Sequence, residues 1–162
     1  QWSLVGSEMC IRDSPGGAVF GIWQPKDHIG AQLVNIPNTL VWNELQTRAG
    51  DASKAFYKSV FDWDNGVDPS GDVTYQLNGR FHAGMLIMDD SWDPNMPNRW
   101  NPYFMVEDAA AAMAKAQELG GNAFVPPTPA GDMGLFSVLQ DPSGGVFTVM
   151  QFSGTVDAPP GY

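Results

Sequence analysis

Two histidines, one cysteine and a carboxylate set in an aromatic strand bound the chemistry open to this chain. His28 lies in a stretch broken by Pro25, Gly30, Pro37 and Asn38, whereas His82 lies in an alternating run. A two-histidine, one-carboxylate metal site would need both, and their settings keep them apart. Cys10 is the single cysteine, so no internal disulfide forms and a reducing, cytoplasmic compartment is expected. Glu44 follows Trp42 in an extended run. A carboxylate there takes a proton or pairs with a cationic ligand, and burial would raise its pKa. Glu44 and His82 are therefore the candidate catalytic groups. The plainer reading of His82 is a hydrogen-bonded structural residue, and of Glu44 a carboxylate at a wet rim.

The elements that must carry these groups follow from period and punctuation. Ala18–Gln24 and Thr39–Gln46 alternate as strands. Asp51 is placed to cap a helix over Ala52–Phe61. Asp64–Gly71 is turn-rich. Val73–Leu77 and Arg80–Met88 are strands joined by Asn78-Gly79, a strong hairpin signal. Asp89–Asn101 is irregular and Pro102–Val106 is a strand. Asp108 caps a second helix, Ala109–Leu119, ended by Gly120-Gly121. Three strands close the chain: Ala123–Val125, Leu135–Leu139 and Val146–Phe152, with a Pro-Pro-Thr-Pro loop after the first. The order is strand, helix, strands, twice over, which predicts an α+β fold.

Alternation sorts the strand side chains. Trp42, Glu44 and Gln46 share one face, with Val41 and Leu45 opposite. Asn101, Tyr103 and Met105 share a face opposed by Phe104 and Val106. Val146, Thr148, Met150 and Phe152 oppose Phe147 and Val149. Two loops with exposed aromatic or apolar groups suit closure over a ligand: Asp89–Trp100, with Trp92, Met96 and Trp100, and Pro126–Gly134, ending in Met133-Gly134.

A second repeat is visible by eye. Ser14-Pro15-Gly16-Gly17-Ala18-Val19-Phe20 through Gln24 aligns without gaps on Asp141-Pro142-Ser143-Gly144-Gly145-Val146-Phe147 through Gln151. Residues 14–25 then read as the last strand of an upstream copy, 26–38 as a linker, 39–153 as a complete domain and 154–162 as a loose tail. Residues 1–13 have no period and read as a non-native leader with no part in the fold. The expected partners are that upstream copy or a second chain.

Composition narrows the function classes. The 162 residues are 43% apolar and 12% aromatic, enough for a real core. The net charge of −10, with eight scattered basic residues, argues against nucleic acid and anionic membrane surfaces. No apolar run reaches the ~20 residues of a membrane helix.

The chain resembles the vicinal oxygen chelate superfamily of glyoxalase I, extradiol dioxygenases and bleomycin-resistance proteins. The matching pieces are Ala55-Phe56-Tyr57 with Val60-Phe61 and Trp63, Val106 with Asp108, Glu118-Leu119-Gly120-Gly121, and Asp141-Pro142 with Gly144 and Phe147. The resemblance implies paired βαβββ motifs whose curved sheets form a cup for a small molecule, in a tandem glyoxalase-like subgroup. It also implies a divalent metal held by four strand residues. Those positions fall on Trp42, Gly84, Asn101 and Thr148, none of them His or a carboxylate. No metal or other cofactor is therefore expected, with a divalent ion as the alternative. The cup would be lined by Trp42, Asn101, Tyr103, Met105, Thr148 and Met150, with Glu44, and with His82 on the face of Gly84. Trp42, Met105 and Met150 equally suit simple filling of the space a metal would take. Three readings stay open: a metal-free module that binds a small organic molecule, aromatic or cationic; a glyoxalase-like lyase, isomerase or oxygenase using a metal or Glu44 and His82; and a structural half.

Overall fold

A computed structural model describes residues 2–4, 7–68 and 71–154, with only the backbone of residues 2–4 and 7–9. The tail beyond Gly154 lies outside the described residues. The elements run β1 (Trp2–Leu4), β2 (Ser7–Asp13), β3 (Val19–Gln24), β4 (Leu40–Thr47), α1 (Gly50–Phe61), β5 (Asp64–Val67), β6 (Val73–Leu77), β7 (Arg80–Ile87), β8 (Arg99–Met105), α2 (Ala109–Glu118), β9 (Asn122–Pro129), β10 (Gly134–Gln140) and β11 (Val146–Phe152). They fall into two compact units. The first holds the described residues up to Gln32 and Asn43–Trp100; the second holds Leu33–Trp42 and the described residues from Asn101.

In the first unit the strands run β5-β6-β7-β4, with β4 parallel to β7 and the other pairs antiparallel. The second unit repeats that order as β8-β11-β10-β9, with β8 parallel to β11. Each unit therefore contains one βαβββ motif in which the first strand lies beside the last. A parallel pair needs a crossover, and the helix after the first strand begins it. The α+β class and the paired motifs follow directly from the alternating run of elements.

Local chemistry explains most boundaries. Asn78 and Gly79 both take positive φ (53° and 76°), as a tight two-residue hairpin turn requires. Asp108 caps α2 by accepting from Ala110 N and Ala111 N, both at 2.9 Å. The cap expected at Asp51 is absent. α1 begins two residues earlier, at Gly50, with Ala49 in the cap position and no side-chain cap bond. Asp51 instead lies in the first turn, where a carboxylate favours the helix dipole.

One edge strand was not legible, and another was read only over Ala123–Val125. β5 forms from the turn-rich stretch because its backbone pairs with β6 from Asp64↔Gln76 to Val67↔Val73; pairing outweighs weak local preference. β9 runs through the prolines expected to form a loop. It is the last strand in its sheet, where a missing N–H costs no ladder bond. Only the turn around Gly131–Met133 remains of the supposed second closing loop.

The first closing loop is also held down. Arg48 donates to Met96 O (2.7 Å) and Asp93 O (2.8 Å), and its backbone N donates to Asn98 Oδ1. Trp100 belongs to β8 and donates through Nε1 to the Tyr57 hydroxyl at 2.8 Å.

The core of the first unit gathers Leu45, Tyr75, Ala83 and Met85 from the sheet under Tyr57 of α1, all nearly or fully buried. Ala18 joins it, and Phe20 of β3 packs on Phe56, Tyr57 and Phe61 with ring centroids 5.7–6.0 Å apart. Residues 7–13, expected to stay outside the fold, pair with β3 as β2. The turn before β3 shares three hydrogen bonds with the turn before β11. Ser14 N donates to Ala18 O, Gly17 N to Ser14 O, and Ala18 N to Ser14 Oγ. Asp141 N donates to Gly145 O, Gly144 N to Asp141 O, and Gly145 N to Asp141 Oδ1.

Candidate functional site

Alternation in β4 gives the first unit two different faces. Leu45 points to α1 and is fully buried. Glu44 and Gln46 point the other way, and Glu44 pairs across the ladder with Gly84. Gln46 Nε2 donates to Glu44 Oε1 at 3.2 Å, and Gln46 Oε1 accepts from Arg99 Nε at 2.9 Å. The arginine fixes which end of the Gln46 amide is oxygen, so the amide N–H must face the carboxylate. Burial lowers the Arg99 guanidinium pKa from its usual value. Beyond Gly84, Thr74 is 2% exposed and its hydroxyl is buried without a hydrogen-bond partner.

Gln46 was read onto this face but not as a site residue, and Arg99 and Thr74 were missed. The signal existed. Extending the alternation of Asn101 back two residues reaches Arg99, and alternation in β6 sets Thr74 opposite Tyr75.

His82 departs from the expected face. The ladder pairs Tyr75 with Ala83 and Gln76 with Phe81, so His82 is the extra residue of a β-bulge. Its ring lies 4.4 Å from that of Trp63, which stacks on Tyr57 on the α1 side. The bulge turns His82 away from the face of Gly84. Its Nε2 is buried without a partner, and desolvation lowers its pKa despite a bond with its own backbone. The unfolded chain therefore takes up a proton that the folded chain resists. Stability should fall as pH drops through about 6.5 toward the lower folded pKa. His82→Phe should flatten the decline of the urea midpoint between about pH 7 and about pH 5; parallel profiles for the two proteins would refute this. His28 is occupied elsewhere, its Nδ1 accepting from Gly30 N and its carbonyl from Trp23 Nε1.

The second unit brings five expected residues together along β8 and β11. Tyr103 pairs with Thr148 and Met105 with Met150 in the parallel ladder. Asn101 Nδ2 donates to Thr148 Oγ1 at 2.7 Å, and both residues are fully buried. Asn101 Oδ1 has no partner. Met150 is buried, and Tyr103 and Met105 are half-buried, as is Trp42 at the near end of β4. On the opposite face Phe104 meets Phe147 edge-on at 6.0 Å. A surface hollow of about 440 Å³ at the start of α1, lined by Arg48, Asp51, Lys54 and Ile87 among others, gathers none of the site candidates.

Among the described residues no group of three or more His, Cys, Asp or Glu side chains is placed to hold a metal ion. At the positions the resemblance assigns to a metal, Trp42 and Gly84 offer no donor. Asn101 and Thr148 are bound to each other and leave one neutral oxygen. That set does not fit a divalent cation, which seeks carboxylate, imidazole or several oxygens.

Two βαβββ motifs, each with its first strand parallel to its last, define a vicinal oxygen chelate fold. The chain belongs to the glyoxalase-like domain family, whose pattern matches residues 42–150. It is 40% identical over 147 residues to the candidate glyoxylase CFP32 of Mycobacterium tuberculosis, covering 88% of this chain and 55% of that protein. It is 29% identical over 150 residues to the anthracycline biosynthesis protein DnrV of Streptomyces peucetius, covering 88% and 52%. The chain thus spans about half the length of these relatives. Among solved structures it is similar to a hypothetical protein, BH1468, of Bacillus halodurans (TM-score 0.54, 10% identity, 74% and 98% coverage). It is also similar to a Streptomyces coelicolor methylmalonyl-CoA epimerase variant in complex with 2-nitronate-propionyl-CoA (TM-score 0.51, 15% identity, 71% and 97% coverage). These likenesses concern the fold. No helix among the described residues is long and apolar enough to cross a membrane.

Proposed function

We propose that this domain binds a small organic molecule without a metal ion, with Trp42, Tyr103, Met105 and Met150 as candidate contacts on the second unit and Glu44 as a separate candidate on the first. The observation that carries the reading is the donor set at the family's metal positions: an indole, a glycine and a mutually bonded Asn101–Thr148 pair. Aromatic and thioether groups with a few placed polar atoms are the usual lining of a small-molecule site. Glu44, oriented by Gln46, favours a cationic aromatic ligand. The match between the turns at Ser14 and Asp141 supports reading residues 14–25 as the close of a further copy. A second reading is acid–base chemistry on Glu44, favoured by the amide that fixes one of its oxygens. The turned ring of His82 gives that reading no support for a Glu44–His82 pair.

Metal analysis of the dialysed protein tests the first part, with substoichiometric divalent metal as the expected result. Titration with benzyltrimethylammonium and with benzyl alcohol tests the second. Glu44→Gln should weaken the cation about tenfold, roughly 1.4 kcal/mol, and leave the alcohol unchanged. Equal affinities of both proteins for both probes would remove Glu44 from the reading, and a stoichiometric metal would replace it with the enzyme reading.

A further inference from the structure

We infer that Arg99 anchors a carboxylate of the bound molecule on the first unit, through the two terminal nitrogens of its guanidinium. The inference rests on the binding reading above and adds the chemical group that the first unit selects.

Strand alternation sets the direction of the side chain. Trp100 reaches Tyr57 on the α1 side, so Arg99, one residue earlier in β8, points to the face of Glu44 and Gln46. A guanidinium is planar and carries five N–H groups and no acceptor. In Arg99 the Nε–H is spent on Gln46 Oε1 at 2.9 Å, and Gln46 is only 4% exposed. That bond steadies the plane and leaves the end-on edge, with Nη1 and Nη2 side by side, as the free one. Neither terminal nitrogen makes a hydrogen bond or an ion pair with a described residue. Both stay open to water, because the buried unpartnered side-chain atoms of the described residues belong to Ser53, Thr74, His82 and Asn101.

The other cations of this unit are placed differently. Arg48 donates to the carbonyls of Asp93 and Met96, and Lys54 and Lys58 pair with aspartates. Arg12, Lys26 and Arg80 are exposed. Arg99 is half-buried, and desolvation lowers its pKa with no opposing charge to offset it. A charge drawn partly out of water and left unpaired gains from a counter-ion. Glu44 is not that counter-ion: the Gln46 amide bonds Glu44 at one end and Arg99 at the other, and no ion pair joins the two charges. A carboxylate has two oxygens in one plane at the spacing of the end-on edge and takes both N–H groups at once. A phosphate dianion would bring a second negative charge beside Glu44, so the singly charged group fits better. A cation at Glu44 and a carboxylate at Arg99 then describe the two ends of one zwitterionic molecule.

Ligand-observed NMR on the full chain at pH 7 tests this with benzoate and benzamide, planar probes of one size. The wild type should bind benzoate at least about tenfold more tightly than benzamide. Arg99→Met keeps the apolar stem and removes the fork; it should bring benzoate down to the affinity of benzamide and leave benzamide unchanged. Arg99→Lys keeps the charge without the fork and should restore only part of the preference. An arginine that serves only to orient Gln46 predicts equal binding of the two probes by all three proteins and a lower Tm for Arg99→Met. If neither variant folds, the wild-type Arg99 Nε–H resonance decides: it should move with benzoate and stay with benzamide, and the same response to both overturns the inference. Binding of benzyltrimethylammonium with no preference for benzoate also overturns it and leaves the binding reading intact. Binding of none of the three up to about 10 mM removes both.

Discussion

Tyr57→Ala should cost about 3–5 kcal/mol of stability, the range for truncating a large buried aromatic. Tyr57 is fully buried in α1. Its ring lies within 5.1–6.2 Å of those of Phe56, Phe20, Trp63, Tyr75, Trp100 and Phe61. Those partners come from β3, α1, the segment after it, β6 and β8, so one truncation loosens five parts of the first unit. Its hydroxyl accepts from Trp100 Nε1, and burial raises its pKa although the Trp100 and Ser14 bonds oppose that. Tyr57→Phe keeps the ring and removes only the acceptor, so it should cost about 1–3 kcal/mol. Urea unfolding of the three proteins checks both values. A loss below about 1 kcal/mol for Tyr57→Ala would mean the ring cluster is not the core of this unit.

Gly134→Ala should destabilise the second unit by about 3 kcal/mol or more, at the upper end of overpacking and strain effects. Gly134 has φ 143° and opens β10 opposite Phe152 of β11. A Cβ there would lie 1.9 Å from Gln151 O and 3.0 Å from Phe152 Cα, both backbone atoms of the paired strand. No rotamer change relieves such a clash; the strands must part. The carbonyl of Gly134 also accepts from Ala130 N, which closes the preceding turn. Gly131→Ala is the control. Gly131 has φ 53° with nothing within 4 Å of its Cβ position, so only the left-handed backbone penalty of about 1–2 kcal/mol applies. Equal Tm losses for the two variants would show that backbone conformation, not strand contact, sets the cost.

Much of the fold was legible because its signals are local. Asn78-Gly79, Asp108 and Gly120 act within a few residues, and each does in the structure what its type predicts. Alternation also placed Leu45 against the helix and Glu44 and Gln46 on the other face, since side chains in a strand alternate strictly. The failures share a cause. β5, and β9 beyond Val125, are strands through pairing with β6 and β10, which composition cannot show. Asp51 lost its cap because Gly50 and Ala49 could begin the helix sooner. Residues 7–13 have no period, yet take a strand conformation beside β3.

The candidate site divides in the same way. The residues of β8 and β11 were named correctly as neighbours, because the parallel first and last strands of each motif bring them together. Arg99 was hidden in a stretch rich in Trp and Pro, although the phase of its strand runs straight through it.

The amino-acid sequence alone determined the two motifs, the family and the polarity of each strand face, because these depend on period and on turn chemistry over short spans. Tertiary structure decided where His82 points, which amide orients Glu44 and that Asn101 meets Thr148. A bulge shifts the phase of a strand by one residue, and hydrogen bonds join residues as far apart as Gln46 and Arg99; neither leaves a mark in the local order of residues.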